Sequence, residues 1–497
     1  MVWSDNYDKF FIGGQWVKPA SSESITVINP FTENSIGVVP EGSKADIDRA
    51  VDAARTAFDT GPWPRMELSE RIAYFERLSA LFAERQDEIA HLVTDEMGCP
   101  ITLSQGMQAT TPRLVIDNFV AMASEYPWRT LRESATGRAL VLREPVGVVA
   151  AVIPWNNPLV IAMIKLTPAL LTGCTAVLKP APETPLDAYL LADLLMQAGF
   201  PEGVVNIVAT DREASEYLVT HPGIDKVALT GSTVAGRRVA AVTAPLMKRL
   251  TLELGGKSAA VVLEDADFGA VAESLRIGSF RNSGQVCSLK TRLVVPKSRE
   301  AEFVDAFTAM VQTMPVGDPK DAATQIGPLV TERQRNKVEG YIGAGRAQGA
   351  RVVLGGGRPA GLSQGWFVEP TVFTDVDPGM RIAQEEIFGP VVTITSYRDE
   401  DEAIAIANNS IYGLNGSVFT GDPERGVKLA SRIRTGTVEI NGSPVGFTAP
   451  IGGFKSSGIG REAGLEGFDA YIELKTGELQ RFRQSVHPIE FEMYFSA

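Results

Sequence analysis

From Ala45 to about Met97 apolar residues recur at helical spacing, so "ADIDRAVDAARTAF" and "SERIAYFERLSALFAERQDEIAHLVTDEMG" predict amphipathic helices. Beyond them the period changes. "VGVVAAVIP" reads as a buried strand, "LVIAMIKLTPALLTG" as an apolar helix, "TAVLKP" as a second strand and "PLDAYLLADLLMQAG" as its helix. The alternation continues through "GVVNIVAT", a short helix, "DKVALTG", the helix "STVAGRRVAAV" and "RLTLELGG". Near-continuous apolar strands separated by helices predict a parallel sheet covered on both faces, a doubly wound α/β domain.

A second α/β series opens near Ala259 with "AAVVLED", a helix, a loop, "TRLVVPK" and the helix "SREAEFVDAFTAMVQTM". It runs on through "GPVVTITSYRD" and "GTVEING". Two stretches, "LVLREPVG" (140–147) and "YIELKTGEL" (471–479), fall outside both series. A lone strand exposes an unpaired edge, so these two are expected to pair with each other or across a subunit interface.

Composition adds limits. The chain has 497 residues, 44% of them hydrophobic, enough for two or three cores. A formal charge of −13 argues against nucleic acid or an anionic membrane as main partner. The most apolar window, "GVVAAVIPWNNPLVIAMI", is broken by prolines and asparagines and is not expected to span a bilayer. The start, "MVWSDNYDKF", lacks signal-peptide character. Cys99, Cys174 and Cys287 form no CxxC pair, which points to a reducing, cytoplasmic setting. His91, His221 and His487 stand apart from cysteine or carboxylate motifs, so no metal site is expected.

Ligands of open parallel sheets bind beyond the C-terminal strand ends. Pro154, Trp155 and Asn156 follow the first strand, Lys179 ends the second, Gly231 and Ser232 follow the fourth, and Glu253 ends the fifth. Any one of these could merely reach water. Their convergence on one edge predicts a site. "TGSTVAG" has the turn-then-helix form that offers N–H groups to a phosphate, although no G-x-G-x-x-G follows a strand. Cys174 reads as core, and for Cys99, at a helix end, packing and reactivity both stand. Cys287, in "SFRNSGQVCSLKT", lies in a polar, glycine-containing stretch expected to be an open, accessible loop, the setting a reactive thiolate needs. No histidine accompanies it, which disfavours a papain-like hydrolase.

"PWNNP" (154–158), "KPAPETP" (179–185), "ALTGST" (228–233), "ELGGKS" (253–258), "GQVCS" (284–288), "EEIFGPV" (385–391) and "PIGGFKSSGIGRE" (450–462) occur in one order. Together they resemble the aldehyde dehydrogenase superfamily over nearly the whole chain. The resemblance implies an aldehyde dehydrogenase-like α/β fold. Its cofactor domain would comprise 1–125 and 145–254, its catalytic domain 255–458, and its small β oligomerisation element and tail 126–144 and 459–497. It implies Cys287 as nucleophile, Glu253 as base for the deacylating water and Asn156 as oxyanion donor.

For an NAD cofactor, with NADP admissible, the resemblance implies contacts from Ile153, Trp155, Lys179, Glu183, Gly231, Ser232, Gly236, Leu254, Glu386 and Phe388. Asn157, Ile161, Ile164, Val286, Phe447 and Ile451 would line the substrate tunnel. The walls carry no charge, so medium-length aliphatic or aromatic aldehydes are expected to outperform charged semialdehydes. Pro182 replaces the acid usual three residues after the lysine, and Glu183 comes one place later. Asn157 stands where phenylalanine is common, and Ile451 where the family has "PFGG". The expected reaction is NAD(P)-dependent oxidation of an aldehyde to an acid through a cysteine thioester, by a homo-oligomer (a dimer or dimer of dimers). The rivals are a CoA-acylating semialdehyde dehydrogenase, which typically lacks the glutamate base, and a non-catalytic nucleotide-binding protein.

Overall fold

The computed structural model describes residues 6–480 apart from Ser134 and Thr136. His487 and the 481–497 tail of the expected third element lie outside the described residues, as do residues 1–5. Five parallel strands form the centre of the first sheet. Across it they run Arg249–Glu253, Lys226–Thr230, Val148–Val152, Thr175–Lys179 and Val205–Ile207. The first of these five in sequence therefore lies in the middle, the next two build to one side, and the last two return to build the other. The reversal falls between Val148–Val152 and Lys226–Thr230, where open α/β sheets have their ligand crevice.

Alternation explains why these strands look uniformly apolar. Val149 and Ala151 pack into one core, whereas Val148, Ala150 and Val152 pack into the core on the opposite face. The second sheet repeats the device: Ala260 and Val262 serve one core, Ala259, Val261 and Leu263 another. Its order is Arg351–Leu354, Thr371–Thr374, Val391–Tyr397, Lys290–Pro296, Ser258–Val262, Gly416–Phe419, Glu439–Ile440. All neighbours are parallel except the first pair.

The two lone strands pair with each other: Ile472–Gln480 lies antiparallel to Gly137–Pro145, and Arg129–Glu133 adds a third strand. Other elements depart from the sequence pattern. "GVVNIVAT" contributes only Val205–Ile207 to the sheet. Phe10–Ile12 and Gln15–Val17 extend the first sheet at one edge, and Gly458–Ile459 returns to pair antiparallel with Arg249–Glu253 at the other. Past Met97 the helical layer resumes after Gly98 (φ 77°) with Ile101–Leu103, a π-helical stretch Ser104–Thr110 and the helix Thr111–Ala123. Pro112 follows directly on the π-helical stretch, where the bonding already departs from the α ladder: the Thr111 N–H reaches the Gly106 carbonyl.

Candidate active site

The strand-end residues do meet on one edge. Val152 is paired with Lys179 and Thr230 with Glu253, so the ends are level. The N–H of Gly231 donates to the Glu253 carbonyl at 2.9 Å. Ser232 caps the helix Thr233–Thr243, its hydroxyl accepting from the Ala235 N–H at 3.2 Å. Gly236, in the first turn of that helix, admits Leu254: a Cβ there would lie 2.4 Å from the leucine Cδ2. Lys179 is buried, and burial lowers its ammonium to about 8 against the opposing pull of Glu183 and Asp211. Among the described residues its Nζ has no hydrogen-bond or ion-pair partner. A free cation at a strand end fits the hydroxyls of a cofactor ribose. Glu183, the expected second ribose contact, is already paired with Arg333 at 2.9 Å.

The second cluster surrounds Cys287. A small pocket brings this cysteine together with Val286, Glu386 and Phe388. Glu386 accepts the Gly256 N–H at 2.9 Å, and its other oxygen occupies the space a Cβ on Gly255 would need. Burial raises the Glu386 carboxyl, while Gly256, Lys337 and Lys257 oppose the shift. Trp155 meets the Phe388 ring edge-to-face at 5.3 Å, and Gln334 Nε2 holds the Phe388 carbonyl at 2.7 Å. The free Lys179, the capped helix and this Glu386–Phe388 pocket suit the residues present to a dinucleotide.

The expectation of an open loop before Cys287 is wrong. Asn282, Ser283, Gly284 and Gln285 are buried, whereas Cys287 is half-buried, as are Arg281 and Ser288. Their polarity serves internal bonds: Ser283 Oγ donates to Gly327 O at 2.9 Å, and Gln285 Oε1 accepts from Val330 N at 3.0 Å. Asn156 Nδ2 donates to Gln285 O at 3.0 Å, which sets the amide two residues from the nucleophile. Burial pushes the Cys287 thiol up to about 12, helped by Glu386 and Glu253 and opposed by Arg281. Burial, then Glu462, raises the Glu253 carboxyl well above the usual range, against Lys165, Arg461 and the Gly453 N–H. Its Oε1 is buried without a partner.

The expected tunnel residues divide. Ile161, Ile164 and Phe447 pack around one core, and Val286 lines the cysteine pocket. Ile451 exchanges backbone bonds with Glu462. Asn157 is not a free wall, because its Oδ1 accepts from Gln108 Nε2 at 3.0 Å. Sequence reading missed several participants. Lys165, buried and bonded to Glu462 at 2.5 Å, was visible as a lone charge in an apolar helix. Arg281 opens the nucleophile turn, its Nε buried and without a partner. Buried Lys257, part of "ELGGKS", is lowered to about 7 by burial and Arg292. Nothing in the sequence pointed to Gln108. Cys99 and Cys174 are fully buried, and burial raises both thiols, Cys99 to about 12.

Cys287, the Glu253 carboxyl with its raised pKa and the Asn156 amide thus stand beside an edge whose residues suit a dinucleotide. The sequence profile of the aldehyde dehydrogenase family matches residues 16–477. The chain belongs to the aldehyde dehydrogenase family. It is accordingly an NAD(P)-dependent oxidoreductase of the aldehyde group. Among its relatives in the family, geranial dehydrogenase of Castellaniella defragrans is 44% identical, the match covering 95% of this chain and 98% of that protein. A Mycobacterium tuberculosis aldehyde dehydrogenase complexed with NAD+ superposes with a TM-score of 0.95 at 47% identity, covering 96% of this chain and 99% of that one. Aldehyde dehydrogenase C of Pseudomonas syringae, a cysteine-to-alanine mutant with NAD+ and octanal, gives 0.92 at 42% identity, covering 95% and 97%. Among the described residues no helix is long and apolar enough to cross a membrane.

Proposed function

We propose that the protein oxidises aldehydes to carboxylic acids through a thioester on Cys287. The carrying observation is the meeting of Cys287, Glu386 and Phe388 in one pocket, with Asn156 bonded beside it. The resting thiol is protonated, so its proton passes to solvent at the half-exposed Cys287 as sulfur attacks the aldehyde carbon. The carbonyl oxygen becomes an oxyanion held by the second Asn156 amide hydrogen and the Cys287 N–H, donors typically worth ~3–4 kcal/mol each. A bound nicotinamide would accept the hydride from the attacked carbon, and loss of the hydride re-forms the carbonyl as a thioester on Cys287. Lys179, Trp155, Ser232, Glu386 and Phe388 would hold that cofactor, with Ile153, Gly231, Gly236 and Leu254 shaping its bed. Glu253 then takes a proton from water, which attacks the thioester and releases the acid and Cys287. A carboxyl whose proton affinity burial and Glu462 raise suits that role.

If Glu253 does this, Glu253→Gln gives a burst of reduced cofactor near one per active site and then turnover slowed about 10²- to 10⁴-fold. A steady-state rate equal to wild type removes Glu253 from the mechanism. Apolar walls from Ile161, Ile164, Val286 and Phe447 favour aldehydes with alkyl or aromatic tails, at ~0.8 kcal/mol per buried methylene. A kcat/KM that stays flat or falls from butanal to octanal contradicts those walls.

The third sheet supplies a surface for assembly. Arg129–Glu133 leaves one edge unpaired, and Leu131 and Leu474 are exposed on this sheet, so a second copy is the natural cover. Sedimentation should show a dimer or dimer of dimers, and a monomer would refute it. Three free thiols suit a reducing cytoplasm, which cell fractionation checks.

A further inference from the structure

Gln108 is completely buried on the π-helical stretch Ser104–Thr110, away from every family motif in the sequence. π-Helical turns insert an extra residue, rotate the helix beyond them, and recur at functional sites. Its Nε2 donates twice, to the Asn156 carbonyl at 3.0 Å and to Asn157 Oδ1 at 3.0 Å. The same carbonyl receives Asn282 Nδ2 at 3.3 Å, and Asn156 Nδ2 reaches Gln285 O at 3.0 Å. These bonds tie the helical layer, the turn after Val152 and the nucleophile turn at one point.

The pattern is not that of a group kept for stability. Gln108 Oε1 is buried with no partner, as is Asn282 Oδ1. An apolar side chain of the same length would leave no such unmet acceptor. What glutamine adds is a pair of donors aimed at the peptide and side chain of the two asparagines. Nε2 bonds this turn twice, while the carboxamide also lies against the Cys99 thiol, so it holds the Asn156 peptide and, through it, the Asn156 side chain.

We propose that Gln108 is a positioning residue for the oxyanion donor: it clamps Asn156 and Asn157 so that Asn156 Nδ2 faces the carbonyl oxygen of the aldehyde attacked by Cys287. This rests on the reading of Asn156 as that donor. Displacing a catalytic group by about 1 Å costs roughly 10²-fold. Gln108→Met should therefore lower kcat/KM for hexanal about ten- to hundredfold, with NAD affinity unchanged. Gln108→Glu keeps the shape but turns the donors into acceptors against the Asn156 carbonyl, so it should fall below Met. A packing role would rank the two the other way.

The decisive test is a double-mutant cycle. In an Asn156→Ala background, Gln108→Met should cost nothing further, because its effect runs through Asn156. An equal loss in both backgrounds, or Glu outperforming Met, overturns the proposal. Should Asn156→Ala fall below detection, the crystal structure of the Gln108→Met protein decides. A rotated Asn156 supports the clamp, and an unmoved one overturns it. Failure of the wild-type protein to oxidise any aldehyde would instead strike the underlying reading of the reaction.

Discussion

Lys179 and Glu253 end regular strands and Ser232 caps the helix that follows another, whereas Cys287 comes after three residues forced into the left-handed region. Asn282, Ser283 and Gly284 have φ values of 52°, 55° and 78°. At Gly284 a Cβ would lie 2.1 Å from the Gly389 carbonyl, so only glycine fits there. The cofactor edge needs nothing beyond hydrogen-bonded strands and a capped helix. The turn before Cys287 is instead held by Gly327 and Val330, from one later loop, and by Asn156, from the first α/β series. Local sequence builds the first region, and tertiary contact builds the second.

Cys287→Ala separates the two regions most sharply. Aldehyde oxidation should fall by at least about 10⁴-fold, while NAD binding, read by fluorescence titration, stays as in wild type. Loss of both together would mean that the turn and the strand ends are one unit.

Arg281→Gln tests the turn's electrostatics. The cofactor-free thiol sits at about 12, above its ordinary value, so it is protonated at neutral pH and only the thiolate reacts. Alkylation by iodoacetamide should climb steadily from pH 7 to 10. Removing the opposing guanidinium raises the thiol further, and the rate at pH 9 should fall about three- to tenfold. A rate flat with pH, or unchanged in the variant, contradicts this account.

The smallest effect lies at the cofactor edge. NAD should be the better cofactor with modest discrimination, because Arg333 neutralises the acid that would repel a 2′-phosphate. Arg333→Ala releases Glu183 and should raise the NAD-to-NADP ratio of kcat/KM about two- to fivefold. A clear NADP preference in wild type would reverse the sign of this argument.

That contrast also explains what the sequence disclosed. The five parallel strands and their polar ends were readable because their period and burial are local properties. Lys179, Ser232 and Glu253 fell where the pattern put them. The polarity of "RNSGQ" was misread as exposure, because composition cannot tell a side chain bonded to water from one bonded to a distant carbonyl. Gln108 was invisible for the same reason. Its partners, Asn156 and Asn157, are reached only after folding, and a π-helical turn has no periodic signature.

The return of Gly458–Ile459 to the strand Arg249–Glu253 makes the chain a closed loop. Glu253 pairs with Gly458, and the Leu254 N–H donates to the Ser457 carbonyl. The first sheet therefore lacks its last strand until nearly the entire chain has been synthesised. A fragment cut after Leu254 would present a bare edge at the very strand that carries Glu253. The apparent boundary between the two α/β series is a seam in the sequence and a continuous weave in space.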